Sequence, residues 1–252
     1  MSYDAALMRT ALALWLSCLS MADAGAATVT LHPNGHVVVL EGRIERGDFD
    51  KVRRLAAEAT PTVLYLASLG GDLGEAMRIG FFVRGRAWET RSAEPASMPP
   101  ELRAAAAASM GVRDPARNNV CTSACFFIFA SGVYRDGHGL GIHMPQIAAA
   151  DLQRMTPDET AGNANDVKVA VARFLGRMGV PRKYFDAMFE VPQDKMRWLT
   201  DAEIATDLHG FAPDVREWVA TQCPGEDVNS AVCKERVMLG IRLRALEERP
   251  AN

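Results

Sequence analysis

Three short segments of this 252-residue chain carry residue types that do chemistry. The first is Ser68-Leu69-Gly70-Gly71-Asp72, which follows an apolar run and precedes a helical pattern. Paired glycines let backbone N–H groups approach a ligand with no Cβ in the way. A turn into a helix N-terminus also gathers positive partial charge. Gly70 and Gly71 therefore meet the requirements of an oxyanion hole. Taken alone they also read as a plain strand-to-helix turn, the commoner use of a glycine pair. The second segment is Cys121-Thr122-Ser123-Ala124-Cys125, opening an apolar helix. Ser123 has the position of a nucleophile, which needs a base to take its proton. The plainer reading makes Ser123 or Thr122 an N-cap. A nucleophilic Cys125 is disfavoured, because an exported thiol is oxidised. The third is Gly141-Ile142-His143-Met144-Pro145. A histidine at a strand end is suited to general-base work, since its pKa lies near operating pH. It also reads as a satisfied structural histidine. His138 sits in a glycine-rich turn, and His32 and His36 have no partner motif.

The elements that position these segments follow a βαβ rhythm. Val29 to Leu31 and His36 to Leu40 read as strands, with a turn at Pro33-Asn34-Gly35. Phe49, Val52, Leu55 and Ala56 share a helical face, with Gly47 or Asp48 as cap. Val63 to Leu66 is a continuous apolar run, as in a strand buried on both faces of a parallel sheet. A helix begins near Asp72, and Arg86 to Ser92 reads as another strand. Residues 93 to 120 are proline- and alanine-rich and read as a surface excursion, a lid or binding loop. Beyond His143, helices are expected over Val167 to Met178, Arg182 to Phe189, after Thr200 as N-cap, and from about Ser230 to Glu247. Val169, Phe174 and Met178 are expected on the apolar side of the first.

Nearly half the residues are apolar, enough for a sizeable core. The net charge is -3 with no dense basic block, which argues against nucleic acid as a partner. Arg9, the apolar run Ala11 to Leu19 and the small residues Ala22 to Ala27 read as a secretory signal, cleaved after Ala24 or Ala26. Asp4 is atypical there, and the alternative is an uncleaved anchor that holds residues 8–20 at a membrane. The expected location is outside the cytoplasm, in the periplasm. Four cysteines then remain, an even number that permits disulfides. Cys223 and Cys233 flank a Pro-Gly turn. Cys121 and Cys125 are four apart, an awkward but feasible spacing. No spacing resembles a closed zinc site, and no cofactor is expected.

The order of the three segments resembles the Clp-protease family within the ClpP/crotonase superfamily. Leu64 to Gly71 is similar to that family's strand and "SPGG" turn, with Leu69 in place of proline. Ser123 stands where the family's nucleophile stands, and His143-Met144-Pro145 resembles its "HQP". Glu41-Gly42-Arg43-Ile44 resembles its early "TGxI/V" strand, and Trp198-Leu199-Thr200 with Glu203 its late "FLSAxEA" segment. The likeness runs from about residue 36 to 212. It is closer still to a group of exported bacterial proteins with a C-x-SAC motif. The resemblance implies an α/β fold, a ββα superhelix with a mainly parallel sheet flanked by helices. It assigns Ser123 as nucleophile, His143 as base, and the N–H groups of Gly71 and Ala124 as oxyanion hole. The family's third member, an aspartate two residues before the late aromatic, is here Met196. Asp194 substitutes for it if the loop bulges; Asp186 and Asp201 are weaker choices.

The expected organisation is a signal or anchor over 1–26, a ClpP-like domain over 27–215 with an insertion at 93–120, and a helical extension over 216–252. The expected function is an exported serine peptidase or hydrolase acting on a peptide or acyl substrate, with self-association into a homo-oligomer. The alternative is a non-catalytic binding or scaffold protein on the same fold.

Overall fold

The structure, a computed structural model, describes residues 26–92, 120–145 and 156–247. The segment read as a signal or anchor and nearly all of the excursion lie outside the described residues. The chain is a mixed α/β fold. Strands β1 (Thr28–Leu31), β2 (Val37–Glu41), β3 (Val63–Ala67) and β4 (Glu89–Ser92) alternate with helices α1 (Asp48–Glu58) and α2 (Leu73–Gly85). Then come β5 (Cys121–Thr122), α3 (Ala124–Ala130), β6 (Tyr134–Gly137) and β7 (Leu140–Ile142). Helices α4 (Pro157–Arg177) and α5 (Arg182–Glu190) follow, then β8 (Arg197–Trp198), α6 (Asp201–Asp207) and β9 (Gly210–Phe211). Helices α7 (Arg216–Gln222) and α8 (Ala231–Glu247) close the described chain.

The main sheet has the order β1-β2-β3-β4-β6-β9. Its four central strands are parallel, and each edge strand is antiparallel. Parallel neighbours need crossover connections, and α1, α2 and α3 lie in those connections. A second row of pairings runs beside the sheet. Ile44 bridges Gly71, Ser68 bridges Cys121, and β5 pairs β7, all in parallel. Strand β8 completes this row antiparallel to β7. Each central strand thus continues into a short extended stretch that lies against its predecessor.

Between sheet and helices lies one large core, which includes all seven residues of α3. Phe174 of α4 meets Phe127 of α3 and Phe81 of α2 with ring centroids 5.6 and 4.9 Å apart. Gly80 lets α2 approach closely, because a Cβ there would collide with Ser131 and the Phe174 ring. The far end of α4 is tied down by Arg135. Its buried guanidinium donates to the carbonyls of Gly132 and Met178. Burial, then repulsion from Arg84, lowers its pKa to about 9, so it stays charged at neutral pH. A smaller core joins Tyr134 and Phe211 to α7 and α8, where the Cys223–Cys233 disulfide links the two helices.

Several expectations need adjustment. Helix α4 starts at Pro157, ten residues before Val167, because a capping box formed by Thr156 and Glu159 initiates a turn with little apolar periodicity. Val169 is 47% exposed, and Val171 takes its place in the core. The strand expected from Arg86 begins only at Glu89, since Arg86 caps α2 and Ala87 has φ of 52°. Gly47 is the N-cap of α1, and the Asp48 carboxylate accepts from the Glu45 N–H and from Lys51.

Helices α1 and α2 are joined by buried Glu75. Its Oε1 accepts the N–H groups of Gly47 and Phe49, both at 2.8 Å, and Oε2 pairs with Arg78. Glu75→Ala leaves the Gly47 and Phe49 N–H groups at the start of α1 unpaired in a partly buried place. It is expected to lower stability by about 2–3 kcal/mol, since bonds to charged groups are worth more than neutral ones. Denaturant unfolding of the two proteins measures this.

Candidate active site

The site is assembled by strand register. Thr122 of β5 pairs Gly141 of β7, and the Ser123 N–H donates to the Gly141 carbonyl at 2.9 Å. Ser123 and His143 therefore leave the ends of two adjacent parallel strands on the same side. Both line a cleft of about 800 Å3, together with Gly71 and Ala124. Met77, Phe127 and Val167 supply apolar wall, and Arg43 and Arg46 are also at the cleft.

Ser123 stands at a sharp strand-to-helix junction with φ 56° and ψ -124°. Non-glycine residues rarely adopt this region, which costs of order 1–3 kcal/mol and clusters at functional sites. Ser123 does occupy the N-cap position of α3, as the plainer expectation had it, but its side chain makes no capping bond. Thr122 lies in β5 and is no cap. The hydroxyl is instead presented to the cleft. A serine held on a strained strand-to-helix turn is the geometry of a nucleophile elbow.

The two glycines have different duties. Gly70 lies so near the junction that a Cβ on it would sit 2.6 Å from Ser123 Cβ. Its own N–H is already donated to Ser68 Oγ at 3.0 Å. Gly71, with φ 145°, leaves no room for a Cβ against the Ile44 carbonyl. In that bridge Ile44 N–H donates to the Gly70 carbonyl, and Asp72 N–H to the Ile44 carbonyl. A parallel bridge of this kind turns the Gly71 N–H to the opposite side, which is the side of Ser123. Among the described residues neither the Gly71 nor the Ala124 N–H has a hydrogen-bond partner. Of the three residues expected to form an oxyanion hole, Gly71 and Ala124 keep a free donor and Gly70 supplies close approach. Asp72 is held as the N-cap of α2, accepting from the Glu75 N–H.

His143 is half-buried. Its Nδ1 is buried and has no hydrogen-bond partner among the described residues. Burial lowers its pKa below the ordinary value of 6.5, offset in part by the adjacent Met144 backbone. The ring is thus neutral at neutral pH. Strand β8 runs antiparallel to β7 with Ile142 opposite Arg197, which brings Met196 to the end of the pairing beside this segment. Met196 also lies against Gly141, whose added Cβ would be 2.8 Å from the Met196 sulfur.

The structure does not bring Asp194 to His143. Asp194 is exposed and makes no hydrogen bond to the ring. The pairing of β7 with β8 ends at Ile142 and Arg197, the Met144 N–H then donates to the Val191 carbonyl, and the turn between them leaves Asp194 exposed and away from the ring. Asp186 pairs with Arg182, and Asp201 with His138. The four cysteines form two disulfides, Cys121–Cys125 and Cys223–Cys233, and Cys125 is therefore no thiol nucleophile. Asn163 and Val167 of α4 also reach the cleft. Sequence reasoning missed Asn163; the Thr156–Glu159 capping spacing was the available signal. Among the described residues no helix is long and apolar enough to cross a membrane.

No family model matches the chain, and no curated protein does.

The low pKa of His143 has a sign that can be checked. The unfolded chain binds a proton near pH 6.5, whereas the folded protein binds it only at lower pH. Stability is therefore expected to fall as pH drops through 6.5, until the folded ring also protonates, and to be flat with respect to this group above it. His143→Gln should remove that component of the profile. An NMR titration of the ring should show a midpoint below 6.5, and a midpoint above it would contradict the burial.

Proposed function

We propose that this chain is an exported serine hydrolase, a peptidase or acyl hydrolase of the ClpP/crotonase type, working with a Ser123–His143 dyad. The observation that carries the reading is Ser123 at φ 56° between a strand and a helix, facing a cleft that it shares with His143. Ser123 Oγ attacks a substrate carbonyl while His143 accepts its proton. The carbonyl oxygen becomes an oxyanion held by the Gly71 and Ala124 N–H groups. Collapse expels the leaving amine or alcohol, which takes the proton from His143, and leaves an acyl-serine. Water then attacks that ester, with His143 again as base, and releases the acid.

The finer fold reading, a ββα superhelix, is supported by the paired rows of parallel rungs described above. Two disulfides and the signal-like N-terminus support export to an oxidising compartment. Assembly into a homo-oligomer follows from the resemblance alone. The dyad has a cost. With no carboxylate on it among the described residues, His143 has no fixed tautomer and no counter-charge for its imidazolium. Turnover is therefore expected to be slow relative to a full triad. The same feature, a His143 ring with no carboxylate partner among the described residues, favours the second reading of a non-catalytic binding protein.

A fluorophosphonate probe separates the two readings. It should label the wild-type protein and leave Ser123→Ala unlabelled; a wild type as inert as Ser123→Ala removes the hydrolase reading. Met196→Asp supplies the missing acid. It is expected to raise the His143 pKa and to speed labelling roughly tenfold or more, by the logic of triad variants. A Met196→Asp protein in which the His143 pKa rises but labelling is no faster would show that His143 is not the base.

A further inference from the structure

We propose that the Cys121–Cys125 disulfide is a positioning brace for Ser123, holding the serine in its reactive conformation; the inference rests on the reading of Ser123 as nucleophile. The bridge closes a five-residue ring centred on Ser123, with two residues on either side. Cys121 belongs to β5, where it pairs Leu140 and bridges Ser68, and its N–H donates to the Gly139 carbonyl at 3.0 Å. Cys125 lies in the first turn of α3 and is fully buried. The two Cα atoms are 5.1 Å apart. Four extended residues would span roughly 13 Å, so the chain must fold back sharply between them. Strand geometry extends through Thr122 and helix geometry begins at Ala124. The reversal therefore falls on Ser123 alone, which takes the positive φ.

An unbraced chain has another arrangement open to it. Serine is a favoured N-cap, with extended backbone and its hydroxyl accepting from the second or third N–H of the helix. In that arrangement Ser123 Oγ would bond the Cys125 or Phe126 N–H and would be withdrawn from the cleft. In the structure Ser123 makes no such bond, and the Phe126 N–H instead donates to the Ser123 carbonyl at 3.1 Å. The covalent ring disfavours the capped arrangement because that needs a wider, more extended junction. Both cysteines are wholly buried, so an attacking thiolate has no line to either sulfur. The bridge is thus a constant brace and not a redox switch. The Cys223–Cys233 disulfide has no such role, because it links α7 and α8 in the smaller core.

The test compares the full-length wild type with Cys121→Ala/Cys125→Ala and with Cys223→Ala/Cys233→Ala. Each is treated with a fluorophosphonate over a range of concentrations, and amide hydrogen exchange is read at Ser123. Removing the first bridge should lower the maximal labelling rate roughly 10- to 100-fold, leave half-saturation within about twofold, and speed exchange at the Ser123 amide. Removing the second should lower the melting temperature and leave the maximal labelling rate unchanged. An unchanged rate without the first bridge overturns the brace, and so does an equal loss from both pairs, which marks general destabilisation. A wild type that is not labelled removes the nucleophile reading instead; the brace then stands on amide exchange, and unchanged exchange at Ser123 overturns it. If the alanine pair does not fold, the same measurements apply to Cys121→Val/Cys125→Ala. That pair keeps a β-branched residue in the strand and a good helix former in α3.

Discussion

The backbone bond from Ser123 N–H to the Gly141 carbonyl closes the pairing of β5 with β7, and the geometry of the cleft depends on it. One residue of slippage in that register would turn His143 to the other face of the row. The same pairing forces Ser123 to leave its strand at once into α3, since the strand holds only Cys121 and Thr122. A parallel rung on the other side, Ser68 with Cys121, brings the glycine turn against the same junction. Ser123, His143 and the free N–H groups of Gly71 and Ala124 thus come from three segments distant in sequence and adjacent in one row of hydrogen bonds. The main sheet carries that row, and the buried α3 fixes its height above the core.

Charge is used unevenly around this row. The carboxylates near it are committed to structure. Glu75 holds the start of α1, Asp72 caps α2, and Glu203 closes a capping box with Thr200 while pairing with Arg197. None of these three orients His143. Its Nδ1 is buried with no hydrogen-bond partner among the described residues, and burial lowers the pKa of the ring. Thr122 Oγ1 is likewise buried without a partner among the described residues, and it lies on the residue directly before Ser123. Two unsatisfied buried atoms beside one strained serine mark a place where the fold has accepted cost, as functional sites do.

Much of the architecture was legible from local chemistry. The apolar run at Val63 predicted a strand buried on both faces, and it is a central parallel strand. Thr200 as N-cap follows from capping chemistry, and it holds. The polar first half of α4 was not legible, because its apolar spacing is weak and a capping box starts it. Strands β8 and β9, of two residues each, carry no pattern long enough to read.

By itself the sequence determined which residue types stand at the three turns, and that Met196 stands where an acid was expected. It also determined that four cysteines follow the signal-like segment, without saying which of them pair. Only the tertiary structure decided that Gly71 keeps a free N–H while Gly70 does not, and that Asp194 stays away from His143. It alone showed Ser123 at a positive φ inside a disulfide ring. The reason is physical. Residue identity limits what a position can do, but direction, hydrogen-bond accounting and backbone strain depend on which strands lie side by side. Those neighbours are set by long-range register, which no local stretch of chain contains.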